Sequence, residues 1–203
     1  MVTVAVDNLT YEREAFASGF RFVAGVDEVV RGPLAGPVVA AAVIMPQDFH
    51  DDRVTDSKKL SEKQRRTLYE LIHDNAVSIG VGIVDALEID RINILQASLT
   101  AMRLGVAKLN PMPDFLLIDG KFTIKSQLPQ KAVVKGDSLS FSIACASIVA
   151  KVTRDTIMDI YNDYYPEFNF PKHKGYPTKA HKEAICNCGP CPIHRLSFRG
   201  VLK

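Results

Sequence analysis

Apolar and polar positions along this chain switch between two periods, and the switches mark its elements. Five short apolar runs bounded by Gly, Pro or charged residues read as buried strands: RFVAGVDE, GPVVAAAVIM, VSIGVGIV, FLLID and KAVVK. TYEREAFASG reads as a short first helix, with Thr10 as candidate N-cap and Gly19 as its stop. Ser61 opens SEKQRRTLYELIHDNA, where Gln64 completes a capping box. Asp85 with Glu88 forms another box and opens helical sequence through Leu109, which Asn110-Pro111 stops. From Ser142 to about Tyr164 the spacing of Ile143, Ala146, Val149, Val152, Ile157 and Ile160 is helical. YPEFNFPKHKGYPT is a loop rich in aromatics and lysines, and a last short helix starts near Thr178. The first two strands are joined closely enough to be antiparallel. The later ones are separated by helices, consistent with parallel crossovers. The expected fold is α/β (mixed α+β): a central five-stranded mixed sheet flanked by helices. One domain spans residues 1–203, with an N-terminal helix over about 1–20 and a C-terminal helical and loop extension over about 156–203.

Three of the strand runs end in acids. FVAGVDE carries Asp27 and Glu28, DFLLIDG carries Asp119, and AVVKGD carries Asp137. Ligand sites of open α/β sheets lie at strand ends. If these strands are neighbours, four carboxylates converge, and they raise one another's pKa unless a cation sits between them. Hard divalent ions with oxygen ligands suit such a cluster, which is the machinery of metal-dependent phosphodiester hydrolysis. The plainer alternative is that strand-end acids cap helices or form turns, as Asp119-Gly120 taken alone would. Adjacent strand residues face opposite sides, so Glu28 must reach the site of Asp27 through a bend or its longer side chain.

Of the 203 residues, 47% are hydrophobic, enough for one domain with a substantial core. A net charge of +2 permits a nucleic-acid partner without demanding one. No apolar stretch approaches the roughly 18 residues of a membrane span, and MVTVAVDNLTYERE lacks the basic start of a secretory signal. A cytoplasmic protein is expected. Cys145 lies in an apolar run and reads as a core residue. Cys186, Cys188 and Cys191 with His194 would suit zinc, but without a second knuckle that reading is disfavoured against reduced, inert thiols. Arg154-Asp155 reads as a structural ion pair.

The ordered stretches GVDEVVRGPLAGPVVAAAV, DSKKLSEKQR, LLIDG, VVKGD, SIACASIVAKVTRD, HKGYPTKAH and PIHRLSF resemble ribonuclease HII, an endonuclease family of the ribonuclease H-like fold. The resemblance covers most of the chain from residue 21 onward. It implies cleavage of RNA–DNA hybrids, and of duplex DNA at an embedded ribonucleotide, on the ribonucleotide's 5′ side. It implies two Mg²⁺ or Mn²⁺ ions held by Asp27, Glu28, Asp119 and Asp137, and 5′-phosphate and 3′-hydroxyl products. By position, Val30, Arg31 and Gly32 correspond to a Gly-Arg-Gly loop whose backbone approaches the 2′-OH, the group that separates RNA from DNA. Val30 departs from that pattern, and a β-branched residue is poorly suited to positive φ. Tyr176 resembles the tyrosine that packs on the sugar just 3′ of the ribonucleotide. Lys58, Lys151, Lys172 and Lys174 are candidate phosphate contacts, with Lys58 and Lys151 in matching motifs. His181 and His194 are assigned to structure or substrate contact, since a metal-assisted hydrolase needs no histidine base.

Other readings stay open: another two-metal structure-specific nuclease, a variant impaired by Val30 that binds hybrids but cleaves poorly, and a zinc-stabilised interaction module. No partner-docking tail is evident, so a monomer without membrane contact is expected.

Overall fold

In the computed structural model, which describes residues 7–29 and 31–202, the five apolar runs form one sheet. The strands are β1 (Val23–Val29), β2 (Val38–Ile44), β3 (Ser78–Val84), β4 (Phe115–Asp119) and β5 (Gln130–Val133), in the order β3-β2-β1-β4-β5. β1 and β2 are antiparallel with Asp27 opposite Ala41, while β4 is parallel to β1 and β5 parallel to β4. One expectation fails here. β3 runs antiparallel to β2, although helix α2 (Glu62–Asn75) lies between them. Ser78 pairs with Ile44, so the connection leaves and re-enters at the same end of the sheet. Residues 45–61 carry the chain to the acid-bearing end, where Lys58 meets Asp137, and α2 brings it back. Two passes cancel, and a crossover helix does not make the pair parallel.

Period two along the strands sorts the core. Ala24, Val26, Ala40, Ala42, Leu116 and Ile118 pack on Ala97, Ala101 and Met102 of α4 (Ile94–Val106). Val39, Ala41 and Val43 face the other way, onto Ala144, Cys145, Ile148 and Val149 of α6 (Phe141–Tyr164) and Leu68 and Ile72 of α2. Cys145 is fully buried there, as expected of a small core residue. α6 lies directly on β1. A Cβ placed on Gly25 would stand 2.0 Å from the carbonyl carbon of Ser142 and 2.3 Å from the nitrogen of Ile143, so only glycine permits this approach.

Local signals explain most boundaries. Ser61 and Gln64 form the full capping box of α2. Thr178 caps α8 (Lys179–Cys188). Thr10 is the first residue of α1 (Thr10–Ala17) rather than its cap. Asp85 caps α3 (Ala86–Ile92), but Glu88 turns to Arg91 instead of closing a box. The helical run expected through Leu109 breaks at Asn93, whose φ of 67° and side chain end α3 and cap α4. The aromatic loop holds a 3-10 turn (Pro166–Phe168) and α7 (Phe170–His173). With Leu34, Met158 and Ile185 they form a third cluster. α5 (Gly136–Leu139) precedes α6.

The N-terminal helix is pinned to this junction. Buried Glu12 accepts at Oε1 from the Ser140 hydroxyl (2.6 Å) and from the Ser142 amide (2.9 Å) and hydroxyl (2.6 Å). Among the described residues no helix is long and apolar enough to cross a membrane.

Gly25→Ala should prevent folding, or destabilise by about 3 kcal/mol or more, because the clash is with helix backbone rather than a mobile side chain. Urea unfolding of the variant checks this.

Candidate active site

The four acids reach one end of the sheet by three different routes. Asp27 lies inside β1, two residues before its end, on the α6 face. Asp119 is the last residue of β4. Asp137 is not at a strand end: it comes four residues after β5, in the first turn of α5. Glu28 points away from Asp27 along the strand, as alternation requires, yet still senses Asp119 electrostatically.

Their environment is unfavourable to charge. Asp27 is 3% exposed, and burial, then Glu28 and Asp119, hold its carboxyl well above the usual range. Burial pushes Glu28 up to about 7, against the opposing pull of Arg31, whose Nε lies 2.6 Å from Oε1. Burial, then Asp137, raises Asp119. Hydrogen bonds hold the cluster's shape. Asp27 accepts from the Glu28 amide (2.7 Å), Asp119 from the Gly136 amide (2.7 Å), and Asp137 from Lys58 Nζ (3.1 Å). Burial lowers the Lys58 pKa, but its bond to Asp137 more than offsets this, and the net shift is upward.

The donor set suits a hard divalent cation. All four groups offer carboxylate oxygen, and Glu28 Oε2 is buried with no hydrogen-bond partner. Among the described residues, however, no three His, Cys, Asp or Glu side chains stand as a finished chelate. Lys58 and Arg31 hold the positions nearest Asp137 and Glu28, and a bound cation would take over their compensating charge.

A cleft of about 100 Å³ opens over Asp27 and Glu28, lined by Ser57, Lys58, Ser147, Lys151 and Tyr176. Tyr176 is 43% exposed. A Cβ on Gly32 would stand 3.9 Å from its ring, so the loop after β1 approaches the GYP turn. Lys151 lines it while paired with Asp155 at 2.8 Å. Lys174 is not among the cleft's lining residues, and its ammonium is committed to Asp159. Lys172 lies in α7. Val30 lies outside the described residues. A larger cavity of about 720 Å³, lined by Asp7, Arg13, His50 and Ser138 among others, contains none of the four acids.

Arg154 and Asp155 are not an ion pair. Asp155 belongs to Lys151, and buried Arg154 donates to the carbonyls of Pro37 (3.1 Å), Lys174 (2.9 Å) and Ala35 (3.0 Å). Arg195, also buried, donates to Gly36 (3.0 Å), Arg31 (3.1 Å) and Pro37 (3.3 Å). Burial lowers these guanidinium groups to about 10 and about 9. Together they fix the 31–37 loop. Sequence reasoning missed Arg195, and also Ser57 and Ser147, whose hydroxyls are 2.9 Å apart beneath Asp27. Nothing separates such serines from other small residues on an apolar helix until the packing is known. Cys186 and Cys188 are exposed, whereas Cys191 is buried against His194.

The family model for ribonuclease HII matches residues 24–201. The chain is 57% identical over 192 residues to ribonuclease HII of Geobacter metallireducens, covering 95% of this chain and 90% of that one. It is 56% identical over 189 residues to ribonuclease HII of Syntrophus aciditrophicus, covering 93% and 89%. The structure superposes on ribonuclease H2 from Pyrococcus horikoshii OT3 with a TM-score of 0.75 at 26% identity, over 88% of this chain and 94% of that one. Bst-RNase HIII in complex with Mn²⁺ shares the fold, with a TM-score of 0.69 at 19% identity, over 89% and 68%.

Glu28 generates a pH prediction. Its folded pKa is raised from about 4.5 to about 7, so the folded protein holds this proton more tightly than the unfolded chain. The stabilisation is complete at acid pH below about 4.5 and is lost as pH rises through about 7. Metal-free Glu28→Gln should therefore be more stable than the parent at pH 8, by on the order of 1–3 kcal/mol, and no more stable at pH 4. Mg²⁺ at pH 8 should reverse the order. Thermal unfolding of both proteins at the two pH values checks each step.

Proposed function

The chain belongs to the ribonuclease HII family and is a ribonuclease H-type hydrolase, and on that premise we propose that it nicks RNA–DNA hybrids, and duplex DNA at an embedded ribonucleotide, on the ribonucleotide's 5′ side. The observation that carries this reading is the convergence of Asp27, Glu28, Asp119 and Asp137 at a cleft lined by Lys58, Lys151 and Tyr176, with Gly32 beside the tyrosine ring. Asp27, Glu28, Asp119 and Asp137 would hold two Mg²⁺ or Mn²⁺ ions. When bound, the ions supply an activated water and neutralise charge on the scissile phosphate and leaving 3′ oxygen, which leaves 5′-phosphate and 3′-hydroxyl ends. That Bst-RNase HIII was solved with Mn²⁺ supports a divalent ion on this fold.

The chain's own residues do the rest. Lys58 and Lys151 line the cleft and contact substrate phosphate. The Arg31-Gly32 backbone, fixed by Arg195 and Arg154, approaches the ribose 2′-OH, where a glycine admits a sugar that a side chain would displace. Tyr176 packs on the next sugar and senses the nucleotide on the 3′ side of the junction. Lys174, paired with Asp159, contributes to the shape of the turn rather than to phosphate binding. Val30 is the residue of this loop that departs from the family pattern, and Val30→Gly should raise cleavage or sharpen discrimination. The same reading has the enzyme acting as a monomer in the cytoplasm.

Cleavage of a labelled DNA duplex carrying one ribonucleotide tests the proposal, alongside an all-DNA duplex and a long RNA–DNA hybrid. A Mg²⁺- or Mn²⁺-dependent nick 5′ of the ribonucleotide, abolished by EDTA and absent from all-DNA, is expected. Asp119→Asn should retain less than about one hundredth of the rate. A metal-independent nick, or cleavage of the all-DNA duplex, would sink the reading. A second reading, a hybrid-binding protein impaired by Val30, is favoured if only Val30→Gly cleaves.

A further inference from the structure

We propose that His181 is a positioning residue for Tyr176, holding the GYP turn through an ordered chain of hydrogen bonds that begins at Cys191. The proposal rests on the reading of Tyr176 as a substrate-contacting residue.

The chain can be traced atom by atom. The Cys191 amide donates to His194 Nδ1 at 2.9 Å, and the Cys191 sulfur lies 3.1 Å from the same nitrogen. A ring nitrogen that accepts carries no hydrogen, so the hydrogen of His194 is on Nε2. That atom is 3.1 Å from His181 Nε2, which must then be bare, leaving the hydrogen of His181 on Nδ1. His181 Nδ1 is 2.9 Å from the carbonyl oxygen of Tyr176, which only accepts. The opposite order would aim two acceptors at each other across that gap and leave the Cys191 amide facing an N–H. His194 Nδ1 also lies 3.2 Å from the Cys191 carbonyl, a contact this order leaves without a hydrogen. His173 is fixed likewise. Its Nδ1 accepts from the Gly175 amide (3.2 Å), its Nε2 donates to Phe168 (2.8 Å), and its ring stacks on His181 at 4.4 Å. All three rings are buried, and burial lowers their pKa, that of His181 to about 4, so each stays neutral in one tautomer.

The turn they support has little slack. Arg154 holds the Lys174 carbonyl, the Leu34 amide the Gly175 carbonyl (2.8 Å), and His181 and the Thr178 amide (2.8 Å) the Tyr176 carbonyl. The Tyr176 amide donates to the His173 carbonyl at 2.8 Å. Gly175 has φ of +84°, and a Cβ there would stand 2.5 Å from the Ala35 carbonyl oxygen. The half-exposed tyrosine ring is therefore aimed by a backbone whose carbonyls are bound on both sides, and His181 is the one side chain among the described residues that binds the tyrosine's own. A sugar-packing contact is sensitive to small displacements, so loosening this carbonyl should change selectivity before it changes chemistry.

Two variants separate positioning from packing. His181→Asn keeps an N–H near the place of Nδ1 and loses the acceptor for His194. His181→Leu loses both. The readout is the ratio of kcat/KM for a DNA-flanked ribonucleotide to that for a continuous RNA–DNA hybrid, with Tyr176→Ala as reference. His181→Leu should lower the ratio about tenfold, and Tyr176→Ala at least as much. His181→Asn should stay within about twofold of the parent despite a lower unfolding temperature. A parent-like ratio in His181→Leu overturns the proposal, as does His181→Asn failing to the same degree as Leu. An unchanged ratio in Tyr176→Ala removes the substrate role of Tyr176 instead, and with it the premise. If His181→Leu does not fold, ¹⁵N spectra of histidine in the parent protein decide. A hydrogen on His181 Nδ1 and a bare Nε2 are expected, and the reverse tautomer overturns the proposal.

Discussion

The packing of α6 onto β1 at Gly25 is the constraint on which the rest depends. Helix backbone touches strand backbone there, so the two elements are locked in translation as well as in angle. From Ser142 to Ser147 the helix climbs about 7.5 Å. From Gly25 to Asp27 the strand advances about 6.6 Å on the same face. The two paths keep pace, and Ser147 arrives beside Asp27 with Ser57 bonded behind it. The residues just before the contact are fixed by the same event. Ser140 caps α6 and ends α5, and α5 carries Asp137. Glu12 ties the first helix to this junction although Ser140 and Ser142 stand far from it in sequence. A parallel neighbour, β4, then sets Asp119 against the Gly136 amide.

This end of the molecule concentrates electrostatic cost. Asp27, Glu28 and Asp119 are held above their ordinary pKa chiefly by burial, and among the described residues no cation fully offsets them. Tight packing around the carboxylates sustains that arrangement, and an outside ligand would relieve it. The opposite device operates a few residues away. Arg154 and Arg195 are buried to give the 31–37 loop fixed donors for its carbonyls. Two charged side chains from distant parts of the chain thus impose the shape of the loop beside the acids.

Much of this was legible in the residues. The five strand runs, the full capping box at Ser61 and the long helix through Tyr164 are local signals, and local signals survive folding. What stayed hidden depends on three-dimensional routing. The β2–β3 connection makes two passes, and strand direction counts passes rather than helices. Arg154 beside Asp155 looks like an ion pair in one dimension, but successive helix residues face different ways, and Lys151 is the neighbour one turn back. Lys174 looks like a phosphate ligand, but its ammonium pairs with Asp159, a partner 15 residues away that the local sequence does not reveal. The histidines gave no sign of their order, because tautomers are set by partners 13 and 5 residues away.

The bond between Lys58 and Asp137 has a thermodynamic corollary. Lys58 sits on a long loop, its side chain largely exposed, and it neutralises a carboxylate while facing the cleft. An incoming anion that draws the ammonium toward itself leaves Asp137 uncompensated, and so strengthens that carboxylate as a ligand for a cation. By reciprocity a cation seated on Asp137 frees Lys58 for the anion. If both occupants bind there, a single ion pair would link two binding equilibria of opposite charge, and each occupant would favour the other's arrival without any rearrangement of the fold.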